Sequence, residues 1–165
     1  MKKFLIFMLI IPFLGCSKNN QAFIDFNCPR IFFASEDRVF IDNGNSPEDV
    51  LFKAELNNFN KSKECKQKDE VVIIPVEVLI IAQPMDNFQN TELNIPIYIS
   101  LLDKYDNLLE NQYFLISGEM KTDQDGNLYK ETDITDRLEV VTRQLETSQI
   151  VIGFMFSDDK IDLLN

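Results

Sequence analysis

The side chains that could carry out chemistry are few, because the 165-residue chain contains no histidine. Its thiols are Cys16, Cys28 and Cys65. Without histidine, neither a Ser-His nor a Cys-His nucleophile can form, and the histidine-based zinc sites are excluded too. No C-x-x-C pair or glycine-rich phosphate loop is present either. The sequence therefore predicts a protein that is not an enzyme and has no cofactor or metal site.

The segment that leads to the first cysteine has the layout of a secretory signal peptide. Lys2-Lys3 is followed by an apolar run from Phe4 to Leu14 and then by Gly15-Cys16, after which the chain becomes polar. A membrane-spanning helix needs about 20 apolar residues, and this run is much shorter. We therefore predict a leader over residues 1–15 that is cleaved between Gly15 and Cys16. A plain signal peptide, or a membrane span with an incidental cysteine, is the alternative.

The residues around this cleavage point resemble the lipobox of bacterial lipoproteins, in which Leu, a small or aliphatic residue, and Gly or Ala precede Cys. Gly15 and Cys16 match the lipobox, whereas Phe13 stands in place of Leu and Leu14 in place of a smaller residue. The resemblance implies that the Cys16 thiol receives a diacylglycerol and that Cys16 becomes the mature N-terminus. It also implies a lipid-anchored protein of the bacterial cell envelope that faces the periplasm. By the same resemblance, Ser17 in place of Asp favours the outer membrane over the inner one.

Two further segments, Cys28 to Ile31 and Ile150 to Phe154, resemble small envelope lipoproteins of alphaproteobacteria. That resemblance implies an exported β-rich domain and assigns no activity.

If Cys16 is lipidated and the chain is exported, two cysteines remain for pairing. Exported proteins meet an oxidising environment, so we predict a disulfide between Cys28 and Cys65. A metal or redox pair is the alternative, but two isolated thiols cannot complete a tetrahedral metal site.

The charge of the chain limits its partners. The whole sequence has a net charge of −11 from 16 basic and 27 acidic side chains. Removing the leader takes away two lysines and no acids, which makes the net charge −13. Such a surface repels nucleic acid and anionic headgroups. We therefore expect no nucleic-acid binding, and we expect membrane lipid to be a partner only through acylated Cys16.

Most of the chain alternates apolar and polar residues with the two-residue period of a half-buried strand. The predicted strands are Ile31–Ala34, Val39–Ile41, Phe52–Asn57, Val71–Ala82, Ile95–Leu101, Leu108–Met120 and Ile150–Phe156. Clusters of turn-forming residues separate several of them, as at 42–47, 103–107 and 122–127.

About seven strands in one domain of this length predict an all-β fold, a single β-sandwich with immunoglobulin-like topology. The predicted sandwich covers residues 25–157. A lipidated tether over 16–24 precedes it, and a short C-terminal tail or helix over 158–165 follows it.

In four segments the residues are compatible with more than one local structure. The spacing of apolar residues over 132–146 suits a helix, but the Thr and Val content favours a strand to about Val141 with a loop beyond, which we predict.

The charged stretch Lys61–Glu70 is predicted to be a loop that holds Cys65. Pro75 lacks an N–H and suggests a strand edge or a bulge. Asp123–Asn127 has acids at some calcium-loop positions, but Lys121 and Thr132 stand where the loop needs acids, so we predict a turn.

The sequence thus predicts a membrane-anchored, periplasm-facing lipoprotein that acts as a non-enzymatic interaction or accessory module. Its partner would be an envelope protein, with the edge of the Pro75 strand as one docking surface. Phe23, Phe26, Phe32 and Phe33 are expected to pack against the first strands, and a docking surface formed by them is the alternative. A small-ligand or metal-ion-binding lipoprotein with a pocket between the sheets is the alternative function.

Overall fold

The computed structural model describes residues 24–42, 50–61 and 64–155, with the side chains of 26–42, 50–60 and 64–155. Within these ranges the chain forms ten strands and no helix. The strands are β1 (Ile24–Phe26), β2 (Arg30–Phe33), β3 (Val39–Asp42), β4 (Phe52–Lys61), β5 (Cys65–Lys68), β6 (Val71–Pro84), β7 (Glu92–Leu102), β8 (Leu108–Glu119), β9 (Thr132–Thr142) and β10 (Gln149–Phe154).

The strands form two sheets that pack face to face, so the predicted all-β sandwich is confirmed. In sheet A, β9 pairs with one side of β6, and β4 and β5 pair with different parts of its other side. β3 then pairs with β4, and β1 pairs with β5. Sheet B has the order β2-β10-β7-β8. Neighbouring strands are antiparallel except β2 and β10, which run parallel. The immunoglobulin-like topology remains a prediction.

The alternating sequence pattern places one face of each long strand in the core. On β6 the six residues at even positions from Val72 to Ala82 are all buried, whereas the odd positions are half-buried on the outer face. The odd positions of β7 from Leu93 to Leu101 are buried against them from sheet B. Each buried aliphatic side chain contributes about 1.5–3 kcal/mol, so these two strands supply much of the stabilising burial.

Four phenylalanines connect the two sheets through the core. Phe154 of β10 lies with its ring centroid 5.8 Å from that of Phe40 on β3. Phe40 is 5.8 Å from Phe52 on β4, and Phe52 is 5.6 Å from Phe88 in the β6–β7 connection. We call Phe154, Phe40, Phe52 and Phe88 the aromatic chain.

Residues 132–146 fold as predicted. β9 ends at Thr142, and a loop leads from there to β10. Tertiary pairing decides this segment, because β9 pairs with β6 over eleven residues from Thr132 to Thr142. The turns over 103–107 and 122–127 also form where they are predicted.

The predicted loop over Lys61–Glu70 is wrong in its second half. Cys65–Lys68 forms β5, which pairs with both β6 and β1. The strand arises because the start of β6 extends beyond the end of β4 and offers its free backbone groups to this segment. The charged side chains of β5 do not prevent pairing, since they stand in the exposed or half-exposed positions of the strand.

The prediction that Pro75 marks a strand edge is also wrong. β6 is a central strand, with β9 on one side and β4 followed by β5 on the other. β4 pairs as far as Val76 and β5 begins to pair at Ile73, so Pro75 lies opposite the junction between them. A residue without an N–H is tolerated where the ladder is interrupted. The proposed docking edge on the Pro75 strand is therefore occupied.

Several predictions fall outside the described residues. These are the leader over 1–15, the cleavage point Gly15-Cys16, the tether up to residue 23, Phe23, the turn-forming residues 43–47, Phe156 at the end of the last predicted strand, and the tail or helix over 158–165. Of the remaining phenylalanines in the predicted cluster, Phe26 and Phe33 pack against the core, as expected. Phe32 points outward with 42% of its surface exposed.

Candidate functional site

The disulfide is the predicted site that the structure confirms. Cys28 and Cys65 are bonded, with their Cα atoms 5.2 Å apart. Cys65 begins β5 and is 1% exposed, and its backbone N–H donates to the Cys28 sulfur over 3.1 Å. Cys28 follows β1 directly, and Phe26 of β1 is the cross-strand partner of Cys65. The bond therefore ties the N-terminal segment of the described chain to sheet A.

In the acidic turn over Asp123–Asn127, the carboxylate of Asp123 accepts hydrogen bonds from residues of the turn itself. Asp123 accepts hydrogen bonds from the backbone N–H groups of Asp125 and Asn127 and from the Asn127 side chain, over 2.8–3.0 Å. Gly126 adopts φ 85°, a left-handed conformation that glycine takes without strain. The hydrogen bonds from Asn127 lower the pKa of Asp123. This geometry is a self-contained turn, as predicted.

The β7–β8 hairpin repeats the same turn with another sequence. Asp103 accepts from the backbone of Tyr105 and Asn107 and from the Asn107 side chain. These bonds, chiefly those from Asn107, lower the pKa of Asp103. Asp106 takes the left-handed position here with φ 65°. Asp103 and Asp123 thus each close a turn with their own carboxylate. Within the described residues, no group of three Asp, Glu, Cys or His side chains lies close enough together to hold a metal ion.

One polar contact lies outside the sequence predictions. The Tyr98 hydroxyl on β7 donates to a carboxylate oxygen of Asp37 over 2.5 Å. Burial, and then the bond to Asp37 and its charge, raise the pKa of Tyr98. The ring covers Gly153 of β10, where an added Cβ would lie 2.6 Å from the tyrosine. Glycine at 153 therefore allows Tyr98 to reach across β10 and hold the loop between β2 and β3.

Replacing Tyr98 by phenylalanine is expected to lower the free energy of unfolding by about 1–2 kcal/mol. A hydrogen bond to a charged group contributes about 1.5–3 kcal/mol, and partial exposure of this ring reduces that value. Urea unfolding of Tyr98→Phe measures the change. Tyr113→Phe is the matched control, because Tyr113 lies directly opposite Tyr98 on β8 and is exposed. It should change stability by less than about 0.5 kcal/mol. Equal effects of the two substitutions would show that the Asp37 contact contributes nothing.

A shallow groove on the outer face of sheet A is the other polar feature. A bulge between Leu56 and Asn58 of β4 shifts the pairing with β6 beside the groove. Its polar lining consists of Asn58, Asn60, Glu77 and Thr135. The groove is open to solvent, and these side chains could form hydrogen bonds with a polar group but include no activated nucleophile.

The long edge of sheet B is the remaining surface feature. β8 has twelve residues and pairs only with β7 among the described strands. Tyr113 and Leu115 are exposed on its outer face, by 37% and 49%. On the inner side, Gln112 donates to the Val141 carbonyl of β9 over 2.9 Å, which fixes the strand against sheet A. The backbone edge of β8 that points away from β7 is thus held in an extended form.

The fold and the site define a disulfide-bonded β-sandwich with an acidic surface. Comparison with protein-family models, with curated proteins and with solved structures found no match to this chain. None of the described segments forms a helix that is long and apolar enough to cross a membrane.

Proposed function

We propose that this chain is a lipid-anchored module of the bacterial cell envelope. Acylated Cys16 holds it at the membrane surface facing the periplasm, and the sandwich acts through protein contacts rather than catalysis. The observation that carries this proposal is the Cys28–Cys65 disulfide. Structural disulfides belong to oxidising compartments, and export through a cleaved leader would bring the chain to one.

The position of the disulfide suits an anchored protein. A lipid at Cys16 would apply its load to the start of β1, which is only three residues long. Such a short strand offers few hydrogen bonds to resist being pulled away. The covalent bond two residues after β1 transfers the load to β5 and so to the centre of sheet A.

The length of the tether limits where the sandwich would lie. Seven residues lie between Cys16 and Ile24, and the eight Cα-to-Cα steps from one to the other can span at most about 30 Å when fully extended. One acyl chain gives only marginal binding, whereas two or three chains anchor a protein stably. The acidic sandwich would be repelled by anionic headgroups and would lie above the bilayer.

The interior supports an interaction role over the alternative of a ligand pocket between the sheets. The facing positions of β6 and β7 are occupied by Val, Ile, Leu and Ala side chains that are at most 1% exposed. The groove described above lies on the outer face of sheet A. Contacts with a partner would therefore be made by the outer faces and edges of the sandwich.

The anchor is tested with the full chain expressed in a bacterium, as wild type and as Cys16→Ser. Wild type should fractionate with membranes, and its mass should correspond to loss of residues 1–15 and addition of lipid to Cys16. Cys16→Ser should carry no lipid, because serine cannot form the thioether, and its mass should show residues 1–15 still attached, because the lipobox resemblance implies that the thiol is acylated before the leader is removed. Ser17→Ala is the matched control and should remain membrane-bound.

Two results would contradict the proposal. One is wild-type protein with its leader attached and an unmodified Cys16. The other is a Cys16→Ser variant whose leader is removed as completely as that of wild type, since a plain signal peptide would be cleaved without the lipid.

A further inference from the structure

The edge of β8 that pairs with none of the described strands, here called its free edge, differs from the other long edge of the sandwich in its charge. The segment Asn111–Gly118 has no charged side chain, although 26% of the whole chain is charged. β9, the edge strand of sheet A on the same side, carries Asp133, Asp136, Arg137 and Glu139. Charged side chains on an edge strand prevent pairing with another chain, so β9 is protected and β8 is not.

We propose that β8 pairs through this free edge with β8 of a second copy of the same chain, antiparallel and about a two-fold axis. Sheet B and its copy would then form one continuous eight-stranded sheet. This inference deepens the proposed interaction role by naming the partner, and the pairing itself does not require the lipid.

The sequence of β8 is complementary to itself when Phe114 lies opposite Phe114 of the other copy. In that register Tyr113 faces Leu115 of the copy, and the contact occurs twice because of the two-fold symmetry. An aromatic residue opposite an aliphatic one is a favourable cross-strand pair. Glu110 faces Gly118, and Glu119 faces Leu109, so no carboxylate lies opposite another.

Two polar side chains of the segment, Asn111 and Ser117, already have partners within sheet B. Asn111 accepts from the Ser100 hydroxyl over 2.6 Å, and Ser117 donates to Asn94 over 3.0 Å. Neither side chain has to leave its partner when a new strand is added. The backbone N–H and C=O groups on the free side of β8 would bond to the second copy, as in other cases of strand addition.

Charge favours a second copy at this edge over contact through other faces. Each molecule carries a net charge of −11, or −13 without the leader, so two molecules repel each other where their carboxylates approach. The uncharged edge allows close contact with the least repulsion. Pairing of a single strand buries less area than a standard stable interface, and a shared membrane surface would raise the effective concentration of the two copies.

The pairing is tested by photo-crosslinking of the full chain in intact cells that express two differently tagged copies. A photoreactive phenylalanine replaces Tyr113 on β8 or, as the matched control, the exposed Tyr129 outside the edge. The Tyr113 position should give a product of twice the chain mass that carries both tags. The Tyr129 position should give at least tenfold less of this product.

Charge placed on the edge should abolish the product. Leu115→Lys, or Ser117→Lys as a second edge variant, should lower the yield at least tenfold. Val141→Lys is the matched control, because Val141 is 50% exposed on β9 and Leu115 is 49% exposed on β8; it should change the yield less than twofold. Unchanged thermal unfolding of a lysine variant shows that it is folded.

Three results would overturn the proposal. They are absence of the doubly tagged product, a product that contains a different protein, and an equal loss of yield with Val141→Lys. Membrane fractionation of the same cells reports on the lipid anchor separately, so failure of the pairing and failure of the anchor can be distinguished.

Discussion

Replacing Cys28 and Cys65 together by alanine is expected to lower the free energy of unfolding by about 4 kcal/mol. The bond closes a loop with a sequence separation of 37 residues. In the chain-entropy model, a loop of that length restricts the unfolded chain by about this amount. Guanidinium unfolding of the oxidised wild type and of the double variant measures the difference. Because many domains have only about 5–15 kcal/mol of stability, the variant should unfold at a much lower denaturant concentration.

Reduction of the wild type provides the matched control for this prediction. The reduced protein should unfold close to the midpoint of the double variant, because both lack the same cross-link. Hydrogen exchange should show the largest loss of protection in β1 and β5, which the bond connects directly. A loss below about 1 kcal/mol in both samples would contradict the role of the disulfide as the main staple of the N-terminal segment.

The strands that could be predicted from the sequence are those whose own residue pattern is enough to favour a strand. Val72 to Ala82 and Ile95 to Leu101 place apolar residues at period two and are rich in Val and Ile, which favours a strand over a helix, and both are long strands in the structure. The disulfide was predictable for a similar reason. Once Cys16 is set aside, Cys28 and Cys65 are the only cysteines that remain.

The errors arose where a neighbour in space determines the outcome. β5 has the sequence Cys-Lys-Gln-Lys, which has no strand pattern of its own, and it forms because β6 has unpaired backbone groups beside it. Pro75 suggested an edge, yet the half-buried Ile73 and Ile81 on the outer face of the same strand are what a central strand shows. Apolar residues on both faces indicate a central strand more strongly than a single proline indicates an edge.

The new surface features could not be predicted from spacing in the sequence. Tyr98 and Asp37 lie 61 residues apart and meet only because sheet B places β7 beside β10 and the β2–β3 loop. The uncharged segment of β8 is visible in the sequence, but its importance depends on β8 being an edge strand. Strand order is set by long-range pairing, which one sequence does not specify.

The aromatic chain gives the second large prediction, because its buried phenylalanine rings contact one another between the two sheets. Phe154 is fully buried in sheet B, and its ring contacts Phe40 of sheet A. Removing the ring would leave a cavity at the point where β10 meets β3, and close-packed interiors relax only partly to fill such a space.

Phe154→Ala is therefore expected to lower the free energy of unfolding by about 3–5 kcal/mol, as measured by urea unfolding with the disulfide intact. Phe32→Ala is the matched control, since Phe32 belongs to the strand paired with β10 but points outward, and it should cost less than about 1 kcal/mol. Because Phe154 contacts Phe40 on β3 whereas the disulfide joins the segment after β1 to β5, the loss should add to that of the cysteine double variant within about 0.5 kcal/mol. If Phe154→Ala were no more destabilising than Phe32→Ala, the two sheets would not depend on the aromatic chain for their packing.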